Sequence, residues 1–112
     1  MLIYEVNLTV DGDAAPRYSP WLREHIREIL TLDGFEAAVW YDRSEDGDTV
    51  PENEEPADPR EWTLQYQVRD RAALQAYFDE HAEEMRREGT EKFGDHVESS
   101  RRIFEQKRLF QG

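Results

Sequence analysis

Residues 62–85, WTLQYQVRDRAALQAYFDEHAEEM, change hydrophobic period once, at Arg69-Asp70, and the architecture follows from that change. Before it, Trp62, Leu64, Tyr66 and Val68 alternate with Thr63, Gln65, Gln67 and Arg69. Period two puts one set on each side of a pleated strand. After it, Leu74, Tyr77, Phe78, His81, Ala82 and Met85 fall at i, i+3, i+4, i+7, i+8 and i+11, an apolar stripe along one side of a helix. Asp70 stands where a helix start needs an oxygen to accept a free backbone N–H. Gly89 weakens the helical pattern, and Glu91 to Gly94 predict a short added turn.

The same two periods organise the flanks. Met1 to Val10 alternates, with Leu2, Tyr4, Val6, Leu8 and Val10 on one face and Ile3, Glu5, Asn7 and Thr9 on the other. Ser19-Pro20 reads as a helix start, serine capping and proline at the first helical position. Leu22, Ile26, Ile29 and Leu30 continue as one stripe until Gly34. Phe35 to Asp42, with Val39, Trp40 and Tyr41, reads as a second strand. Val97 to Phe104 reads as a fourth, its phase left open by Arg101-Arg102.

The order β-α-β-β-α-β, with right-handed split crossovers, predicts an α+β, ferredoxin-like sandwich. Its four-stranded antiparallel sheet carries both helices on one face. Residues 1–112 form a single domain in this reading. Residues 43–60, with seven acids, three prolines and one glycine, form a long solvated loop expected to be flexible.

Composition narrows the function classes. Twenty-six acidic residues against 14 basic ones give a formal charge of −12, the wrong sign for a phosphate-backbone binder, so no nucleic-acid partner is expected. With no cysteine, thiolate metal sites and cysteine nucleophiles are excluded. No apolar run nears the roughly 18 residues of a membrane span, and the N-terminus lacks a signal-peptide layout. The expectation is a cytoplasmic chain with no membrane partner. Of the basic residues only Lys92 and Lys107 are lysine. Acid excess with scarce lysine fits either a high-salt habitat or an arginine-rich codon bias.

Several segments together resemble a small bacterial family, a domain of unknown function. They are Ile3-Tyr4-Glu5-Val6, Trp21…His25-Ile26, Tyr66-Gln67-Val68, Tyr77…His81-Ala82…Met85-Arg86 and Phe93-Gly94-Asp95…Arg101-Arg102-Ile103. The resemblance covers nearly the whole chain apart from the acidic loop, which looks longer than the family's usual hairpin. It implies a ferredoxin-like fold related to the dimeric α/β-barrel proteins, and it implies no particular activity.

Helices cover one face of such a sheet. We assign Leu2, Tyr4, Val6, Leu8, Phe35, Ala37, Val39, Trp62, Leu64, Tyr66 and Val68 to it. The opposite face then carries Ile3, Glu5, Asn7, Thr9, Ala38, Trp40, Thr63, Gln65 and Gln67, with Arg102 and Phe104 joining from the last strand. That mixture suits neither open water nor a dry core. It suits a homodimer whose paired sheets enclose a polar-lined cavity for a small molecule. The alternative is a non-catalytic protein–protein interaction module with the acidic loop as a docking arm.

If the cavity reading holds, four residues carry it. His25 is the proton carrier, because imidazole titrates near neutrality. Trp40 is an aromatic wall, Gln65 a polar anchor and Arg102 an anion clamp. Arg101 and Arg102 exchange roles if the fourth strand has the other phase. His81 sits in the apolar stripe and reads as a satisfied core histidine, and His96 as exposed or structural. Asp42, Ser44, Asp46 and Gly47 match the first half of a calcium loop, but position 12 is Asn53 where a bidentate glutamate is needed. A solvated turn fits better, and neither a metal nor a cofactor is expected.

Overall fold

The structure is a computed structural model that describes residues 1–45, 47–48 and 55–112. Two residues of the calcium-like pattern, Asp46 and Asn53, and much of the acidic loop lie outside the described residues. Among the described residues the elements are β1 (Leu2–Val10), α1 (Ala15–Ile29), β2 (Phe35–Asp42), β3 (Arg60–Val68), α2 (Arg71–Glu80), α3 (Ala82–Phe93) and β4 (Val97–Glu105), with a 3-10 turn at Gly94–His96. The sheet order is β2-β3-β1-β4 with every pairing antiparallel, the ferredoxin-like arrangement.

β1 and β3 sit centrally, and their alternation holds along their whole length. Leu2, Tyr4, Val6, Leu8 and Val10 face Val68, Tyr66, Leu64, Trp62 and Arg60 in register, and the apolar set is buried. The helices close over it with Tyr18, Leu22 and Ile29 from α1, Leu74 and Tyr77 from α2, and Ala82 and Phe93 from α3. Burial of these side chains supplies most of the drive to fold, each worth about 1.5–3 kcal/mol for a large apolar group.

β2 departs from the predicted phase. A bulge between Phe35 and Ala37 leaves Glu36 unpaired, so Ala38 opposes Tyr66 and Trp40 opposes Leu64. One extra residue in a period of two turns every later side chain over. Ala38 and Trp40 therefore join the helix-covered core, while Val39 and Tyr41 stand exposed on the open face. The assignment of Ala37 and Val39 to the core and of Ala38 and Trp40 to the open face is corrected accordingly.

Both helical regions differ in detail. α1 begins a turn before Ser19, with Pro16 in its first positions and Pro20 inside. Ser19 is thus not its cap. The second helical region is two helices, broken at His81, whose backbone (φ −128°) leaves the helical range. His81 is not a core residue: its side chain is 42% exposed, with Glu80 3.9 Å away. The Asp70 cap is present, its carboxylate accepting from the Ala73 N–H at 2.9 Å. Gly34 (φ +85°) turns the chain from α1 into β2, and a Cβ there would stand 2.3 Å from that of Ala73.

Candidate functional site

The phase of β4 decides which arginine serves which face. Arg102 opposes Glu5 and Arg101 opposes Val6, so Arg102 lies on the open face and Arg101 on the helix side. The open face holds a continuous polar network. Arg102 Nε donates to Glu5 Oε2 at 2.7 Å, Gln65 Nε2 to Glu5 Oε1 at 3.0 Å and Asn7 Nδ2 to Glu5 Oε2 at 3.0 Å. Thr63 Oγ1 donates to Asn7 Oδ1 at 2.7 Å, and Arg43 donates to the Trp62 carbonyl at 2.8 Å and to Glu61 at 2.6 Å. Glu5 and Thr63 are buried within this one chain. Burial pushes the Glu5 pKa up, yet the hydrogen bonds from Asn7, Gln65 and Arg102 and the nearby guanidinium outweigh it and hold the carboxyl below its usual range. The side chains proposed as anchor and clamp, Gln65 and Arg102, thus hold a carboxylate of their own chain.

The concavity lies on the other side of the sheet. Between α1, α2, α3 and the strands is a cavity of about 240 Å³. Tyr4, Val6 and Leu8 of β1, Leu64 and Tyr66 of β3, and Val97, Ser99 and Arg101 of β4 form its floor. α1 contributes Tyr18, Trp21, Leu22, His25 and Ile29. Tyr77 comes from α2, and Met85, Arg86, Gly89 and Thr90 from α3. Gly89 lets α3 approach α1 closely, since a Cβ there would meet the Trp21 ring at 3.2 Å. Some of the residues that carry the family resemblance line the cavity, among them Tyr4, Trp21, His25, Tyr66, Tyr77, Arg86 and Arg101, while others, such as Glu5, Gln67, His81 and Arg102, do not.

The lining is aromatic on two sides. Trp21 stacks on His25 (4.7 Å between centroids, 16° between planes) and meets Phe93 edge-on at 5.5 Å. Tyr4 stacks on Tyr66 at 6.1 Å and tilts against Tyr77 at 5.8 Å. The phenols of Tyr18, Tyr66 and Tyr77 stay protonated. Burial pushes Tyr18 and Tyr77 up to about 12 and raises Tyr66 further. Arg86 donates to the Tyr4 hydroxyl at 3.1 Å, and Arg101 to Ser99 Oγ at 3.1 Å.

His25 is the one histidine in the lining. Its Nδ1 is buried and has no hydrogen-bond partner among the described residues. Burial lowers its pKa most, Glu88 opposes that, and Arg101 lowers it further, so the site favours the neutral imidazole. One atom each of His25, Glu28 and Glu88 lies within 4.8 Å of the others, close enough to share a cation, but both carboxylates are exposed.

Of the four candidates, only His25 lines the cavity. Trp40 packs edge-on against Trp62 at 4.8 Å, on the helix side but outside the cavity. Its expected role as an aromatic wall falls to Trp21. Gln65 and Arg102 belong to the open face. Sequence reasoning missed Arg86, Tyr66 and Tyr77 as lining residues. The available signal was their place in the segments that carry the resemblance. His96 is exposed, 3.0 Å from Asp11.

A four-stranded antiparallel sheet of order β2-β3-β1-β4 with three helices on one face is a ferredoxin-like α+β fold. Solved structures similar to it agree. A proposed antibiotic biosynthesis monooxygenase from Deinococcus radiodurans superposes with a TM-score of 0.70 at 11% identity, covering 99% of this chain and 97% of that one. SnoaB, a cofactor-independent oxygenase from Streptomyces nogalater, gives 0.66 at 11% identity over 99% and 98%. HapK from Hahella chejuensis gives 0.65 at 14% over 100% and 98%. At these identities the likeness concerns the fold alone.

The family model "Domain of unknown function (DUF4286)" matches residues 1–107, and the chain belongs to that family. A comparison with curated protein sequences gives no match. No helix among the described residues is long and apolar enough to cross a membrane.

Proposed function

We propose that this chain binds a small molecule in the cavity between its helices and its sheet, and that His25 exchanges a proton with it. The observation that carries the proposal is a 240 Å³ cavity with two aromatic walls and the His25 ring in its lining. The Nδ1 of the same ring is buried without a partner among the described residues, which is rare in folded proteins. A neutral imidazole can remove a proton from a carbon beside a carbonyl group. The C–H bond breaks, the proton goes to the imidazole, and the electron pair moves to the oxygen as an enolate. The shared fold with a protein described as a cofactor-independent oxygenase supports such chemistry by analogy.

The test is a saturation-transfer NMR screen of planar aromatic fragments against the wild type and Ser99→Trp, which fills the cavity floor at an exposed position. Hits that bind the wild type and lose binding to S99W uphold the proposal. Hits indifferent to S99W, or a screen without hits, overturn it.

We further propose that the chain is a homodimer. Val39, Tyr41 and Phe104 are exposed around the polar network of the open face, and Leu109 and Phe110 extend beyond β4 at 68% and 82% exposure. Apolar rings and chains around a satisfied polar centre suit a second copy better than water. A sedimentation mass of twice 13.3 kDa at micromolar concentration is expected, and a mass of 13.3 kDa refutes the dimer. The non-catalytic interaction module keeps this surface as its support, but it leaves the cavity and the free His25 nitrogen without a role.

A further inference from the structure

We infer that the ligand of this cavity is a planar aromatic molecule carrying an anionic oxygen group, held by Arg101 and Arg86. The inference rests on the cavity reading above and adds the charge of the ligand. Acids make up 26 of the 112 residues, so a random set of 19 should hold about four, yet none of the 19 lining residues is acidic. Two of them are arginines. Six other arginines are tied to carboxylates, Arg27 to Glu24, Arg43 to Glu61, Arg69 to Asp33, Arg71 to Glu105, Arg87 to Glu83 and Arg102 to Glu5, while Arg17, Arg23 and Arg108 stand outside the cavity lining. Among the described residues, Arg86 and Arg101 have no carboxylate partner; each spends one N–H on a neutral hydroxyl of the lining.

Their placement matters as much as their freedom. Arg101 rises from β4 and Arg86 descends from α3, so the two forks meet the cavity from opposite layers. A guanidinium keeps several donors in one plane and recognises carboxylates and other anionic oxygens by paired hydrogen bonds. The rings of Trp21, Tyr66 and Tyr77 supply flat apolar walls for a conjugated body. Glu28 and Glu88, each with a carboxylate oxygen within 4.8 Å of a His25 ring nitrogen, are exposed and outside the lining. In a chain of charge −12, an arginine-lined cavity also admits an anion that the rest of the surface repels.

The experiment compares 2-naphthoate with 2-naphthamide, its neutral isostere, by calorimetry on the full chain. Arg101→Gln, Arg86→Gln and the control Arg23→Gln, which removes the same charge from the outer side of α1, are measured alongside. The wild type and R23Q are expected to prefer naphthoate by about tenfold or more, with the preference shrinking as salt is added. R101Q and R86Q, at exposed positions, are expected to lose most of that preference while binding naphthamide as before. Equal affinity for the two probes, or a preference that survives in R101Q and R86Q, overturns the charge inference and leaves the cavity reading standing. Binding of neither probe removes both.

Discussion

Replacing Arg102 by glutamine isolates the polar network of the open face. In the native chain Glu5 is 4% exposed and accepts from Arg102, Gln65 and Asn7. The variant keeps the last two donors and loses the only guanidinium. A hydrogen bond to a charged group is worth about 1.5–3 kcal/mol. The other end of this pair is 64% exposed, which screens the attraction. We therefore expect Arg102→Gln to cost about 2 kcal/mol at neutral pH. In a Glu5→Gln background the same change should cost under about 0.5 kcal/mol, the difference being the coupling energy of the pair. Because the folded chain holds the Glu5 pKa below its usual range, the stability it contributes is present above the ordinary carboxylate pKa and fades as pH falls through the folded value. The gap between wild type and R102Q should accordingly narrow in acid. Urea unfolding followed by circular dichroism at about pH 7 and about pH 3 measures all of this. A cost below about 0.5 kcal/mol at neutral pH, or one unchanged by Glu5→Gln, would refute the account and return Arg102 to the role of a free anion clamp.

Three further outcomes are expected. Gly34→Ala forces a positive φ on an L residue and drives its Cβ into Ala73, so urea unfolding should show a loss of about 2 kcal/mol or more. Asp70→Ala removes the acceptor for the Ala73 N–H and should lower stability by about 1 kcal/mol, with increased amide exchange confined to the first turn of α2. NMR titration of the His25 ring should give a pKa below that of a free histidine. Glu88→Gln should lower it further and Arg101→Gln should raise it, because the first removes the opposing negative charge and the second a repelling positive one.

The sequence carried the fold wherever a hydrophobic period ran unbroken. β1 and β3 are read correctly residue by residue because nothing interrupts their alternation, and the Asp70 cap is legible because its oxygen acts three residues away. The failures come from single-residue events that leave no compositional mark. Glu36 becomes a bulge residue between Phe35 and Ala37, neither of which marks a bulge, and that slip moves Trp40 from one face to the other. Ser19-Pro20 carries the chemistry of a helix start, but Pro16 satisfies the same condition a turn earlier. His81 fits the helical period although its backbone ends α2. The candidate site suffered most, since it depends on the phases of β2 and β4 at once. His25 lines the cavity because α1 presents it beside a well-marked apolar stripe. Arg101 was one of two alternatives until the register with β1 assigned it to the helix side.

The location of the ligand site is open to one direct measurement. The chain has three tryptophans, Trp21 in the cavity and Trp40 and Trp62 against each other away from it. With 5-fluorotryptophan in all three positions, titration with 2-naphthoate should move the fluorine resonance of Trp21 saturably and leave the other two in place. Movement of Trp40 or Trp62 with Trp21 unchanged would put the ligand elsewhere and contradict the account.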